Sequence, residues 1–135
     1  MELINANYTI INDTYNASYD SIYYALEVLG KFEERKIAVL GDILELGEFS
    51  EEIHRSIWEL INKNNIDILI TVGKNAEYIN EEATKNGLDI NNSYHFNSNK
   101  EAISFINSIK SSDDNILVKA SHGMNFIEIV KEIRE

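Results

Sequence analysis

The feature that most constrains this chain is an alternation along its length. Short continuous apolar runs are followed by longer stretches in which apolar residues recur every three or four positions. Tyr8 to Asn12, Lys36 to Leu40, Ile66 to Val72, Ser93 to Phe96 and Ile116 to Ala120 read as strands. The second, third and fifth are nearly unbroken Ile, Val and Leu, which suits strands covered on both faces. The helical stripes are Ile22, Ala25, Leu26 and Leu29; Ile53, Ile57, Leu60 and Ile61; Ala76, Ile79 and Ala83; Ala102, Ile106 and Ile109; and Phe126, Ile129, Val130 and Ile133. Strands and helices in strict alternation predict an α/β fold, a doubly wound, mostly parallel sheet of five or six strands with about five helices. Leu3 and Ile4 predict an extra edge strand, folding back through Asn5, Ala6 and Asn7.

Local signals agree with these boundaries. Ser50 ahead of Glu51 and Glu52 suits a helix start, and Ser98 with Glu101 forms a Ser-x-x-Glu capping box. Gly30 and Gly87 stand where helices should stop in a left-handed residue. Gly41, Gly73 and Gly123 lie at or soon after strand ends, with Gly47 in the loop after the second strand. In a doubly wound sheet those ends form one edge, where ligands bind. No repeat, low-complexity tract or linker interrupts the pattern, so the whole chain reads as a single domain.

Charge removes several function classes. Twelve Lys and Arg against 23 Asp and Glu leave a net charge of −11, which disfavours nucleic acid and anionic membrane surfaces as partners. With no cysteine there is no disulfide framework, thiolate metal site or cysteine nucleophile. The N-terminal residues have no basic segment with an apolar core behind it, and no apolar run approaches ~18 residues, so neither secretion nor a membrane span is expected. A cytoplasmic location follows as an expectation.

The loops after the strands supply the candidate chemistry. Asp13, Thr14, Tyr15 and Asn16 follow the first; Asp42 and Glu45 the second; Gly73 and Lys74 the third; Lys119, Ser121 and His122 end the fifth. Asp13 either caps its turn or accepts hydrogen bonds from ribose hydroxyls, with Tyr15 placed to lie against a base. Asp42 either bonds its own loop backbone or faces a ligand. Lys119, at the end of an apolar strand, needs a partner: an ion pair with Asp13 or Asp42, or a carboxylate or phosphate contact shared with Ser121. His54 lies beside an apolar stripe and reads as packing or capping. Trp58 and Tyr19, Tyr23 and Tyr24 read as helix packing. His95 and His122 lack the spacing of a metal pair, and no H-x-x-x-H occurs, so no metal bound by these side chains is expected. No G-x-x-x-x-G-K-[ST] is present, so the chain alone is not expected to activate ATP.

Three segments together resemble a known family. Ile11-Asn12-Asp13-Thr14-Tyr15-Asn16-Ala17 with Asp20-Ser21 is similar to the I-N-D-x-Y-N-A-N-P-D-S motif that opens the C-terminal domain of the MurF-type members of the Mur ligase family. Val39-Leu40-Gly41-Asp42-Ile43-Leu44-Glu45-Leu46-Gly47, with Ser50 and His54 beyond it, resembles V-L-G-D-M-x-E-L-G…H, and Leu117 to Met124 resembles L-V-K-G-S-R-x-M. Ser18-Tyr19 stands where the family commonly has Asn-Pro, Ala120 where it has glycine, and His122 where it has arginine, which a neutral imidazole does not replace as a bidentate anion contact.

The resemblance implies a Rossmann-like C-terminal domain within a three-domain, ATP-dependent ligase of peptidoglycan synthesis. The UDP-binding N-terminal and P-loop central domains would lie outside this chain. Such enzymes join D-alanyl-D-alanine to UDP-N-acetylmuramoyl-tripeptide through an acyl phosphate, with ATP and Mg2+ held mainly by the central domain. By resemblance Asp13, Tyr15 and Asn16 would contact the nucleotide, and Lys119, Ser121, Asp42 and His122 would face the incoming dipeptide or the phosphate region. The isolated domain is expected to be inactive and to bind no cofactor. The alternatives are a receiver-like module and a free-standing nucleotide-binding or interaction domain.

Overall fold

A computed structural model describes residues 1–5 and 7–134. Among the described residues six strands form one sheet: β1 (Glu2–Asn5), β2 (Thr9–Asp13), β3 (Lys36–Gly41), β4 (Ile68–Val72), β5 (Ser93–Phe96) and β6 (Asn115–Lys119). Their spatial order is β1-β2-β6-β3-β4-β5, with β1 antiparallel to β2 and every other pairing parallel. The edge strand expected at Leu3 and Ile4 is β1; the middle of its turn, Ala6, lies outside the described residues.

Between the strands run α1 (Tyr19–Gly30), α2 (Ser50–Ser56), α3 (Trp58–Lys63), α4 (Glu77–Lys85), α5 (Asn99–Ile109) and α6 (Ile127–Ile133). The helix expected over Ile53 to Ile61 is two, because the hydrogen bonds tighten to three-residue spacing at Ile57, which ends α2 and starts α3. Ser50 does not cap α2. It is the first helical residue, preceded by a 3-10 turn over Gly47–Phe49 that leads into the helix instead. Gly87 does adopt the left-handed conformation, but Gly30 is the last residue of α1 and does not. A Cβ on Gly30 would stand 2.8 Å from Oδ1 of Asn64, so close approach of the segment after α3 explains the glycine. Ser98 accepts the N–H of Glu101 and caps α5 as expected.

Period-two alternation in the strands divides the core. Ile11, Ala38, Leu40, Leu69 and Leu117 pack against α1 to α4, whereas Ile10, Ile37, Val39, Ile70, Ile116 and Val118 pack against α5 and α6. The connection through α5 runs back across the sheet to insert β6 between β2 and β3. With right-handed crossovers throughout, reversing the direction of travel moves the helices to the other face. The carboxyl ends of β2, β6 and β3 consequently lie side by side where the winding reverses, the position at which such sheets bind ligands. Among the described residues no helix is long and apolar enough to cross a membrane.

Candidate functional site

Register sets the site. Asp13 pairs with Lys119 across β2 and β6, and Lys119 pairs with Leu40 across β6 and β3. The Nζ of Lys119 donates to Oδ2 of Asp13 at 2.8 Å and to the carbonyl of Asn16 at 2.9 Å. At 1% exposure the ammonium depends on these partners, because a bare charge there would lose its hydration uncompensated. Of the two ion pairs left open by the sequence, the structure forms the one with Asp13.

The loop after β2 is pinned at both ends. Lys119 holds the carbonyl of Asn16, whose own Oδ1 accepts the N–H of Ala17, and Ser18 and Ser21 exchange reciprocal side-chain to backbone hydrogen bonds at the start of α1. This cap forms without the Asn-Pro of the resembling motif. Between the pinned ends Tyr15 projects outward, 79% exposed, its ring 5.7 Å from that of His122. Thr14, Tyr15, His122, Asn125, Phe126 and Ile127 line a cleft of about 270 Å³. Pockets that enclose a small ligand run from about 300 to 1,000 Å³, so this cleft falls just below that range.

Asp42 is turned away from the cleft. At 6% exposure its carboxylate accepts the backbone N–H groups of Asn75 (3.1 Å) and Ala76 (2.7 Å), fastening the loop between β4 and α4. It bonds a neighbouring loop and not its own. Gly73 lies beneath it with φ +112°, and a Cβ there would come within 2.5 Å of Oδ1. A receiver-like acceptor would need an accessible aspartate after the third parallel strand of the chain, and there the sequence holds Gly73 and Lys74.

Ser121 joins the edge through backbone and side chain. Its N–H donates to the carbonyl of Asp42 at 3.2 Å, and its Oγ accepts the N–H of Leu44 at 2.9 Å. Ala120 fits because Gly41 faces it: a Cβ on Gly41 would meet Ala120 Cβ at 2.7 Å and the Phe126 ring at 2.5 Å. His95 lies away from this group, its Nδ1 2.8 Å from Thr71 Oγ1 in a polar network that Asn80 completes. Trp58, Tyr19 and Tyr23 pack against the core, whereas Tyr24 is exposed. Among the described residues no three His, Asp or Glu side chains converge as metal ligands. A wider cleft of about 590 Å³ beside α2 carries Glu48, Glu51, Glu52, Glu59 and Glu82, a lining that repels phosphate. Its Arg55 is neutralised, with the guanidinium held above its ordinary pKa chiefly by the hydrogen bond to Glu51.

Asn125 and Phe126 were not singled out as cleft residues by the sequence. Phe126 reads as one position of a helical stripe, and the left-handed Asn125 (φ 55°) that aims the chain from β6 into α6 carries no glycine to announce the turn.

The chain is 37% identical to the UDP-N-acetylmuramoyl-tripeptide--D-alanyl-D-alanine ligase of Bacillus subtilis (strain 168), an alignment covering all of this chain and 30% of that protein. It thus spans about 30% of the length of that relative. A crystal structure of MurF from Acinetobacter baumannii superposes with a TM-score of 0.85 at 25% identity, covering 98% of this chain and 30% of that one. MurF ligase from Thermotoga maritima, crystallised in complex with ADP, superposes with a TM-score of 0.80 at 23% identity, covering 98% and 29%. A family model described as Mur ligase, glutamate ligase domain, matches residues 1–122, and the chain belongs to that family.

Proposed function

We propose that this chain acts as the C-terminal domain of a cytoplasmic, ATP-dependent ligase of peptidoglycan synthesis, joining D-alanyl-D-alanine to UDP-N-acetylmuramoyl-tripeptide. The observation that carries the reading is the buried pairing of Asp13 with Lys119 at the reversal point of the sheet, with Ser121 two residues beyond Lys119 and a cleft too small to enclose a nucleotide beside them. On this reading the 135 residues form one domain, and the N-terminal and central domains supply the opposite wall, the phosphate cradle and the Mg2+ site.

Asp13 uses Oδ2 on Lys119 and offers Oδ1, which stands 3.8 Å from the amino group of Met1, to a ribose hydroxyl, Tyr15 lies against the base, and Asn16 holds the loop that carries both. Lys119 and Ser121 face the carboxylate of the incoming dipeptide or the phosphate region, with His122 at the cleft wall and Asp42 fixing the adjoining loop. In the reaction the substrate carboxylate takes the γ-phosphoryl group of ATP, releasing ADP; the dipeptide amine then attacks the acyl carbon, phosphate leaves, and the amine proton passes to solvent. Closing this edge over the other domains excludes water from the acyl phosphate.

The test supplies the remaining domains in trans and measures ADP release with and without D-alanyl-D-alanine. Dipeptide-dependent release that needs this chain supports the reading. Equal release with and without the chain counts against it.

A further inference from the structure

His54 is fully buried on α2, far from solvent and outside the group of residues at the strand ends. Its Nδ1 lies 2.7 Å from the carbonyl oxygen of Ser50, which only accepts, so Nδ1 carries the proton. In the neutral ring Nε2 then bears a lone pair, and it accepts the N–H of Ile43 at 3.0 Å. One tautomer satisfies both bonds.

The partner of that second bond gives it its significance. Ile43 follows the end of β3 by two residues, so its buried N–H has no ladder partner and requires an acceptor from elsewhere. Its neighbours on both sides are bonded to Ser121: the carbonyl of Asp42 accepts the Ser121 N–H, and the N–H of Leu44 donates to Ser121 Oγ. Asp42, Ile43 and Leu44 thus form a strap held by His54 at its centre and holding Ser121 at its two ends. Because Leu44 occupies a lone pair of Ser121 Oγ, the hydroxyl proton is left to donate toward an anionic ligand.

We infer that His54 is a positioning residue: through the strap it fixes the height and direction of the Ser121 hydroxyl at the candidate site. The inference rests on the reading above that Ser121 faces the dipeptide carboxylate or the phosphate region. An apolar residue at position 54 would fill the same space yet leave the Ile43 N–H buried without an acceptor, which is the more costly error.

Two substitutions separate this role from packing. His54→Gln can place Oε1 near the position of Nε2 and keep the acceptor, whereas His54→Asn keeps a donor near Ser50 and cannot reach Ile43. In the 135-residue chain, amide hydrogen exchange at Ile43 and Leu44 should accelerate about three- to tenfold in H54N, the scale of one buried hydrogen bond, and stay near wild type in H54Q. In the ligase reconstituted from all domains, kcat/KM for D-alanyl-D-alanine should fall by a similar factor in H54N and recover in H54Q. Unchanged exchange at Leu44 in H54N, or exchange lost equally in H54Q, overturns the positioning role; if H54N does not fold, the H54Q arm still decides it. Should Ser121→Ala impair the ligase while H54N exchanges faster without kinetic loss, the inference is likewise overturned. Should S121A have no effect either, the substrate role given to Ser121 fails and the mechanical link from His54 to Ser121 stands.

Discussion

The ammonium of Lys119 and the carboxylate of Asp13 meet at 2.8 Å, joining residues 106 apart in sequence through neighbouring parallel strands. The two are unequal partners, since the lysine side chain is 2% exposed and the aspartate 17%. Asp13→Ala leaves a buried ammonium with only the Asn16 carbonyl, and we expect a loss of about 3 kcal/mol in urea unfolding. Lys119→Met leaves a carboxylate that water can reach, at a cost of about 1–2 kcal/mol. The double variant should lose less than the sum, and strict additivity would show that the pair contributes nothing as a pair.

Tyr15 bears no such structural load. Because it is 79% exposed, Tyr15→Ala should change unfolding free energy by no more than about 0.5 kcal/mol. Its effect should be on the ligand: titration of ADP into the reconstituted ligase is expected to give a Kd raised about tenfold, the worth of one stacking contact. Wild-type affinity in Y15A would remove this ring from the nucleotide site.

Gly73 and Asp42 make a contact that only glycine permits. Gly73→Ala combines a φ of +112° with a Cβ 2.5 Å from Asp42 Oδ1, and a destabilisation of about 3 kcal/mol is expected by thermal denaturation. Asp42→Ala removes the acceptor of the Asn75 and Ala76 N–H groups and should cost about 1–3 kcal/mol. Gly47→Ala, with open space around its Cβ and a φ of +58°, should cost about 1 kcal/mol, the backbone cost of an ordinary left-handed position with no clash.

Arg35 donates to Asp114 through Nε and Nη2, and these hydrogen bonds hold its pKa above the ordinary arginine value. A raised pKa stabilises the fold below the unfolded-state value and loses that contribution only as pH climbs through the folded-state value, far above the working range. Arg35→Met strands the carboxylate of Asp114, which is 3% exposed and keeps the Ser111 N–H, so its cost of about 3 kcal/mol should be the same at about pH 6 and pH 9. A penalty that shrinks between those two values would assign the stabilisation to a different group.

Much of the fold was legible in the sequence because its determinants are local and periodic. Continuous runs such as Ile68 to Val72 have one stable use, a strand covered on both sides, and the stripe Ile22, Ala25, Leu26, Leu29 has one buried face. The helix break at Ile57 escaped because an apolar stripe keeps its phase through a single tightened turn, and Gly30 escaped because its reason is Asn64, a residue of another segment. The candidate site divides in the same way. That Asp13, Asp42, Lys119 and Ser121 stand at strand ends follows from the chain alone. Which carboxylate takes the lysine does not, because it depends on β6 lying between β2 and β3, with Asp13 in register with Lys119 and Asp42 drawn away to Asn75 and Ala76. The same holds for His54, whose side chain reads as packing until the N–H of Ile43 is seen in front of it. Sequence by itself determined the elements, since backbone preference and burial act over a few residues; the tertiary structure decided the partners, since a buried charge or an unpaired N–H takes whatever the topology brings within 3 Å.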